Sequence, residues 1–292
     1  MHMDAFIQFL SSGLTEGARY ALVALGFTLI YNASGALNFA QGESVMIGGM
    51  VTAVLLQTQM PFWLAVLLAV LAGLVVSLLL QRVFTYTLQR SGVLQVIILT
   101  VAFGIMLRGL AHALWGTQTR SIPAFSGSEP LRIGGATILP QALWVMGITA
   151  VVLAGLAWFF RHSRTGRGFV AASLDPTTAQ LMGIDVKRVL LLAFGLSGVL
   201  GAIGGIVTAP ITYTYADVGV MVGLKGIIAA IIGGMGSPWG AVFGGFAIGL
   251  AEAMTAGYVS SAYKDAVPFV MIVLLFMVKP TGLFGRRRVE RV

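Results

Sequence analysis

The chain has 292 residues, of which 58% are hydrophobic and only 10% charged, with a formal net charge of +8. Soluble domains carry roughly 25% charged residues, so this composition excludes an ordinary solvated globule and points to a bilayer. The absence of cysteine excludes disulfides, thiolate metal sites and cysteine nucleophiles.

Crossing the hydrocarbon core takes about 20 apolar residues. On that basis the sequence predicts spans over 6–31, 44–60, 62–81, 94–115, 139–160, 188–210, 218–235, 239–258 and 265–279. Three of them (44–60, 218–235 and 265–279) are short or interrupted. The expected fold is therefore an all-α polytopic membrane protein of eight or nine transmembrane or partial helices. Residues 1–292 are expected to form one transmembrane domain, and because Met1-His-Met-Asp-Ala lacks the positive n-region of a cleaved signal peptide the first helix is expected to stay in the protein. Glu16 and Arg19 stand i, i+3 on that span, where they can pair and lower the cost of burial. They read either as a polar contact for a zwitterionic ligand or as a structural pair.

The first span meets a polar, small-residue patch, Asn32-Ala-Ser-Gly-Ala-Leu-Asn38-Phe-Ala-Gln41-Gly-Glu43. Unsatisfied backbone survives at membrane depth only where protein or a watery cavity covers it, and broken helices often line transport pathways. Asn38, Gln41 and Glu43 are thus candidates either for a substrate pathway or for satisfying freed backbone. Arg108, well inside its span, is expected to reach the outer interface. Asp217 and Asp265 are expected in external loops, and Lys225 and Glu252 to pair or to snorkel. A second break at 233–240 hints at an internal pseudo-repeat. Among the 38 glycines, Gly201/Gly205, Gly219/Gly223, Gly240/Gly244 and Gly245/Gly249 have the GxxxG spacing of close helix contacts.

Lysine and arginine test this layout. Arg82, Arg90, Arg161, Arg164, Arg167, Lys187, Arg188, Lys279, Arg286, Arg287, Arg288 and Arg291 fall on one side, and Arg120, Arg132 and Lys264 on the other. The excess marks the first side as cytoplasmic, with the N-terminus outside and the C-terminus inside. The basic residues therefore report topology rather than a nucleic-acid stripe, and no nucleic-acid partner is expected.

The longest cytoplasmic connection, residues 161–187, contains a helix-start signal. Asp175 can cap free N–H groups and Pro176 suits the first helical position. Gly183 fits a left-handed stop. Ala171, Ala172, Ala179, Leu181 and Ile184 would give this short helix an apolar knob for a partner's groove.

Enzymatic readings find little support. Gly195-Leu196-Ser197-Gly198 matches the GxSG pattern of intramembrane serine proteases, but His2, His112 and His162 all precede it. None of the four lysines follows a glycine, so there is no Walker A loop, and no HExxH metal site occurs.

Four stretches carry a family likeness: GLTEGARYALVALGFTLIYNASGALNFAQGE from Gly13, the AxxxDxxxAxLxGI pattern from Ala171 to Ile184, GLKGIIAAIIGGMGSPWGAVFGGFAIGLAE from Gly223, and YKDAVPFVMIVLLFMVKPTGLFG from Tyr263. In this order they resemble branched-chain amino acid ABC transporter permeases. The resemblance implies a non-enzymatic subunit of a prokaryotic inner-membrane importer for branched-chain or other hydrophobic amino acids. It implies a second, related permease subunit, two cytoplasmic ATPases that consume ATP, and an external substrate-binding protein. This chain itself would hold no cofactor and no metal. The loop residues Ala171, Asp175, Pro176, Ala179, Gly183 and Ile184 would form the ATPase-coupling element. The chain departs from the family at Val170, where arginine is usual, at Leu174, where a polar residue is common, and at Glu16 and Arg19. Two other readings remain open: a urea or short-amide ABC permease, and an ion-coupled secondary transporter using Glu16, Glu43 and Glu252.

Overall fold

A computed structural model of the protein describes residues 2–127, 129–133 and 136–285. Arg286, Arg287, Arg288 and Arg291 lie outside the described residues. Among those described, the order is α1 (His2–Ser34), a 3-10 turn (Phe39–Gly42), α2 (Glu43–Gln57), α3 (Phe62–Ser91), α4 (Val93–Trp115), strands β1 (Leu131–Ile133) and β2 (Ala136–Ile138), and α5 (Pro140–His162). There follow α6 (Arg164–Leu174), α7 (Pro176–Leu181), α8 (Val186–Thr212), α9 (Val218–Gly233), α10 (Pro238–Tyr258), a 3-10 turn (Ser261–Ala266) and α11 (Val267–Val278). The all-helical expectation holds except for the antiparallel β1–β2 pair in the long connection before α5.

Seven of these helices are long and apolar enough to cross a membrane, counting the 3-10 turns that lead into α2 and α11. The 16-residue α9 is shorter, and α1 carries Glu16 and Arg19 within its length. Both are enclosed by protein rather than lipid: α1 packs mainly on α10 and α8, and α9 on α10 and α1. The outer helices α4, α5 and α11 instead turn most of their apolar side chains outward, as at Ile98, Leu114, Val151 and Met277.

Glycine lets the inner helices approach backbone to backbone. A Cβ on Gly17 would stand 2.8 Å from Phe246 Cα, and one on Gly245 2.6 Å from Ala21 Cα, so α1 and α10 touch without intervening side chains. The other expected GxxxG pairs also sit in close contacts: Gly201 and Gly205 against α2, Gly219 and Gly223 against Gly42, and Gly240 and Gly244 against α9. Gly13 and Gly17 supply a further such pair, on α1.

α3 runs to Ser91 rather than ending near 81. Phe84 explains the extension: it is fully buried, edge-to-face with Phe194 of α8 at 4.9 Å between ring centroids, so packing carries the helix on. The ends of α1 and α3 then meet α6, α7 and the start of α8 around one pocket lined by Asn32, Thr85, Gln89, Ser173, Pro176 and Lys187. At the opposite end, Arg120 bridges to Thr214 and its guanidinium binds Gln57 and the Trp115 carbonyl.

The second break is a turn over 234–237 between antiparallel helices. Gly234 and Gly236 adopt φ of 103° and 95°, and Ser237 Oγ accepts from Gly240 N–H at 3.1 Å. The returning C-terminal segment satisfies the end of α9, with Leu283 N–H donating to Ile232 O and Phe284 N–H to Gly233 O, both at 2.9 Å.

Candidate functional site

Three regions carry polar chemistry. The first is the helix break. α1 ends at Ser34, Gly35 takes φ of 71°, and the chain re-enters the protein through the 3-10 turn. Asn38 Oδ1 caps that turn by accepting from Ala40 N–H at 3.0 Å, and Phe39 N–H donates to Thr100 Oγ1 of α4 at 3.1 Å. Gln41 Nε2 donates to the Ser197 carbonyl at 3.0 Å, and Ser197 Oγ donates back to Gln41 Oε1. Gln41 and Ser197 are fully buried, and Asn38 nearly so. Asn38 and Gln41 thus satisfy backbone and join helices; as pathway residues they are not open to the charged cavity described below. Ser197, the serine of the GxSG pattern, is half of that clasp.

Glu43, also buried, faces Arg108 of α4, with Arg108 Nε 3.4 Å from Oε1. Arg108 therefore turns inward to the break rather than to the outer interface. The cause is proximity: Gly104, one turn earlier on α4, leaves room for the Glu43 carboxylate. Glu43 Oε2 has no hydrogen-bond partner among the described residues. Asp217 lies in the turn before α9, as expected, and contacts His112 at 3.1 Å.

The second region is a charged cavity at the end opposite α6 and α7. Its volume is about 510 Å³, and Arg19, Lys225, Lys264, Glu16, Glu252 and Asp265 all line it. Arg19 binds Glu16 on its own helix and donates through Nη1 to Thr212 Oγ1 at the end of α8, at 3.3 Å. Lys225 of α9 lies 2.8 Å from Glu252 Oε1 of α10 and donates to Asp265 Oδ1 at 2.7 Å. Lys225 thus bridges the Glu252 and Asp265 carboxylates. Tyr20 Oη completes the group by donating to Glu252 Oε2 at 2.9 Å. The sequence pointed to both pairs but not to their convergence, and it placed Asp265 in a loop. Tyr20 and Thr212 carried no sequence signal; only the crossing of α1 with α8, α9 and α10 brings them here.

The third region is the loop of residues 161–187. It contains two helices where the sequence predicted one. Ser163 Oγ caps α6 through Gly166 N–H at 2.8 Å. The predicted cap of α7 is present: Asp175 Oδ1 accepts from Thr177 and Thr178 N–H at 3.0 and 3.1 Å, and Gly183 takes φ of 83°. The Thr178 hydroxyl and backbone N–H donating to Asp175 hold its carboxyl below the usual carboxylate range. The apolar knob has a different composition from the one expected. Ala172 and Ala179 are buried and Ile184 half-buried, since they seat α6 and α7 against the bundle. The projecting apolar side chains are Leu174, Leu181 and Met182, with Val170 less so. Ala171 is exposed, as are Asp175, Pro176 and Gly183.

Comparison with known proteins identifies the family. The family model for the branched-chain amino acid transport system permease component matches residues 9–276. The chain is 32% identical to the high-affinity branched-chain amino acid transport system permease protein LivH of Escherichia coli K12, and 31% identical to LivH of Salmonella typhimurium. It is 30% identical to BraD of Pseudomonas aeruginosa, which bears the same description. Each alignment covers 98% of this chain and 98% of the relative. A polytopic helical membrane protein with these matches along its length, this chain belongs to the branched-chain amino acid transport permease family.

Proposed function

We propose that this chain is the membrane-spanning subunit of an ABC importer that moves branched-chain or other hydrophobic amino acids into the cytoplasm. The observation that carries this reading is the likeness to LivH and BraD over 98% of each chain. On this reading the chain forms one transmembrane domain and pairs with a second permease subunit. Two ATPases bind on the α6–α7 side, an external protein delivers the solute, and ATP is hydrolysed on the partners. The α6–α7 end is cytoplasmic, supported by the lysine and arginine excess in that layer.

Coupling is assigned to α6 and α7. Asp175 and Gly183 fix both ends of α7, so Leu181 and Met182 project in a defined direction from a helix that is otherwise too short to persist alone. Apolar side chains exposed beyond the membrane suit an ATPase groove. A rigid-body rocking of helices would carry the ATPase stroke to the opposite end.

The test is leucine uptake by proteoliposomes holding the complete importer, with ATP inside. Uptake that requires ATP and the ATPases is expected, and the double variant Leu181→Glu, Met182→Glu should abolish ATPase co-purification while the chain stays folded. Accumulation of leucine by this chain alone under an ion gradient would overturn the assignment. ATP-driven uptake of urea but not leucine would overturn the substrate class.

A further inference from the structure

The geometry points to the charged cavity as a binding station for the α-amino acid zwitterion itself, with Arg19 receiving the carboxylate and Glu252 with Asp265 receiving the ammonium. This rests on the amino-acid reading above and names the residues that would recognise the solute within this chain.

Cost is the first argument. Arg19, Lys225 and Glu252 are each more than nine-tenths buried in a chain that spans a membrane. Burying such charges in a membrane-spanning chain is costly before compensation. Joining α1, α9 and α10 needs none of this, because glycine already brings those helices into backbone contact. Replacing buried ion pairs with apolar groups is often neutral or stabilising, so a purely structural role leaves three cations and three anions around one space unexplained.

Valence is the second argument. Arg19 Nε, buried, donates to nothing among the described residues. The site thus retains one unused cationic N–H, the donor a carboxylate seeks. Glu252 and Asp265 are both held by the Lys225 ammonium, at 2.8 and 2.7 Å, and a ligand ammonium would take its place there. Glu16, about a third exposed on its side chain, occupies another edge of the Arg19 guanidinium and stands where a ligand carboxylate would compete. Asp265, half-exposed, is the corresponding movable anion on the ammonium side.

Shape is the third. A volume of about 510 Å³ lies within the range of roughly 300–1,000 Å³ found for small-molecule sites. Val218, Met221 and Val222 of α9 add an apolar wall beside the charges. Balanced charge of both signs with an apolar flank matches an alkyl amino acid. It does not match a sugar, which carries no charge, or a simple cation, which brings no carboxylate for Arg19.

The experiment is saturation-transfer NMR on the complete permease–ATPase complex in nanodiscs, without the binding protein. The probes are L-leucine, leucinol (no carboxylate) and 4-methylpentanoate (no ammonium), with leucine uptake measured in parallel. Wild type should bind leucine about tenfold more tightly than either analogue, the worth of one charge-assisted contact. Arg19→Gln should erase the preference over leucinol but keep that over 4-methylpentanoate. Glu252→Gln with Asp265→Asn should do the reverse. A structural network would weaken all three ligands together, and that result overturns the assignment. Should Arg19→Gln fail to assemble, Glu16→Gln decides: freeing Arg19 should tighten leucine binding about threefold, and unchanged binding overturns the proposal. If the wild-type complex takes up leucine yet none of the variants alters discrimination, this site is wrong while the amino-acid reading stands. If wild type takes up no leucine, the amino-acid reading itself fails.

Discussion

Replacing Gln41 with leucine and Ser197 with alanine, singly and together, measures the clasp that holds the helix break. Two hydrogen bonds join these residues across α8 and the 3-10 turn, inside a site where both are fully buried. Double-mutant cycles in a membrane protein average about 0.6 kcal/mol per interhelical hydrogen bond. Ser197→Ala keeps the carbonyl that accepts from Gln41, so the cycle isolates the one hydroxyl–amide bond, with a coupling energy of about 0.6 kcal/mol, or about threefold in the folding equilibrium. Each single change leaves a buried polar atom without its partner, which costs about 1–3 kcal/mol. Gln41→Leu should fall toward the low end, because the freed Ser197 hydroxyl can turn back to a carbonyl one turn earlier. Thr28, Thr52 and Thr208 already do so in their helices. Detergent-titrated reversible unfolding of the three variants supplies the cycle, and leucine uptake by the assembled importer supplies the functional readout. Uptake should fall only as far as the folded fraction falls. Strict additivity of the two changes would refute the hydroxyl–amide half of the clasp. Loss of uptake in Gln41→Leu at unchanged stability would return Gln41 to the pathway.

Two further outcomes follow from named contacts. A Cβ on Gly48 would lie 2.6 Å from Ala202 Cα, whereas Gly155 faces open space. Gly48→Val should cost about 3 kcal/mol or more through overpacking and collapse the folded yield on size-exclusion chromatography, while Gly155→Val should leave the isolated chain folded. The Asp175 carboxyl is held below its ordinary range by donation from Thr178, so its contribution to α7 is fully present above the unfolded-state value and is lost as pH falls through the lower folded value. A carbon-detected NMR titration should then find Asp175 still ionised after free carboxylates have protonated. Titration at or above the ordinary value would remove the cap.

Much of this fold was legible because membrane insertion imposes a coarse rule that hydropathy alone satisfies. The starts and ends of α4, α9 and α10 fall within about two residues of those expected, within the ordinary scatter of helix boundaries. The α7 cap was equally readable, since Asp175, Pro176 and Gly183 act through local backbone geometry. Lipid-facing hydropathy says nothing about where a helix stops beyond the membrane, so the extension of α3 around Phe84 was missed. So was α6, whose face around Phe169 and Ala172 is defined only by the bundle beneath it. The inward turn of Arg108 had no local signal for the same reason: its partner, Glu43, is distant in sequence.

The polar regions share one element. α1 presents Arg19 and Tyr20 to the charged cavity, holds Gly26 beneath the Gln41 amide, and binds the 234–237 turn through Asn32 Nδ2 to Gly236 O at 3.0 Å. Over 33 residues it extends about 50 Å, enough to join the cavity end to the α6–α7 end. Its grip on α10 is backbone on backbone at Gly17, Gly245 and Gly249, with no intervening side chains. Such a contact has little give, because close-packed interiors resist continuous deformation. The pair α1–α10 therefore behaves as one strut. Conformational freedom is concentrated instead where the backbone is unbonded to regular helix and glycine permits unusual dihedrals: at Gly35 before the break, and at Gly234 and Gly236 in the turn. Gly240 and Gly244 lock α9 onto α10 in the same way, so a motion that reshapes the cavity without breaking these contacts must swing α1, α9 and α10 against α8. That helix carries Thr212, so the same swing separates Arg19 from Thr212.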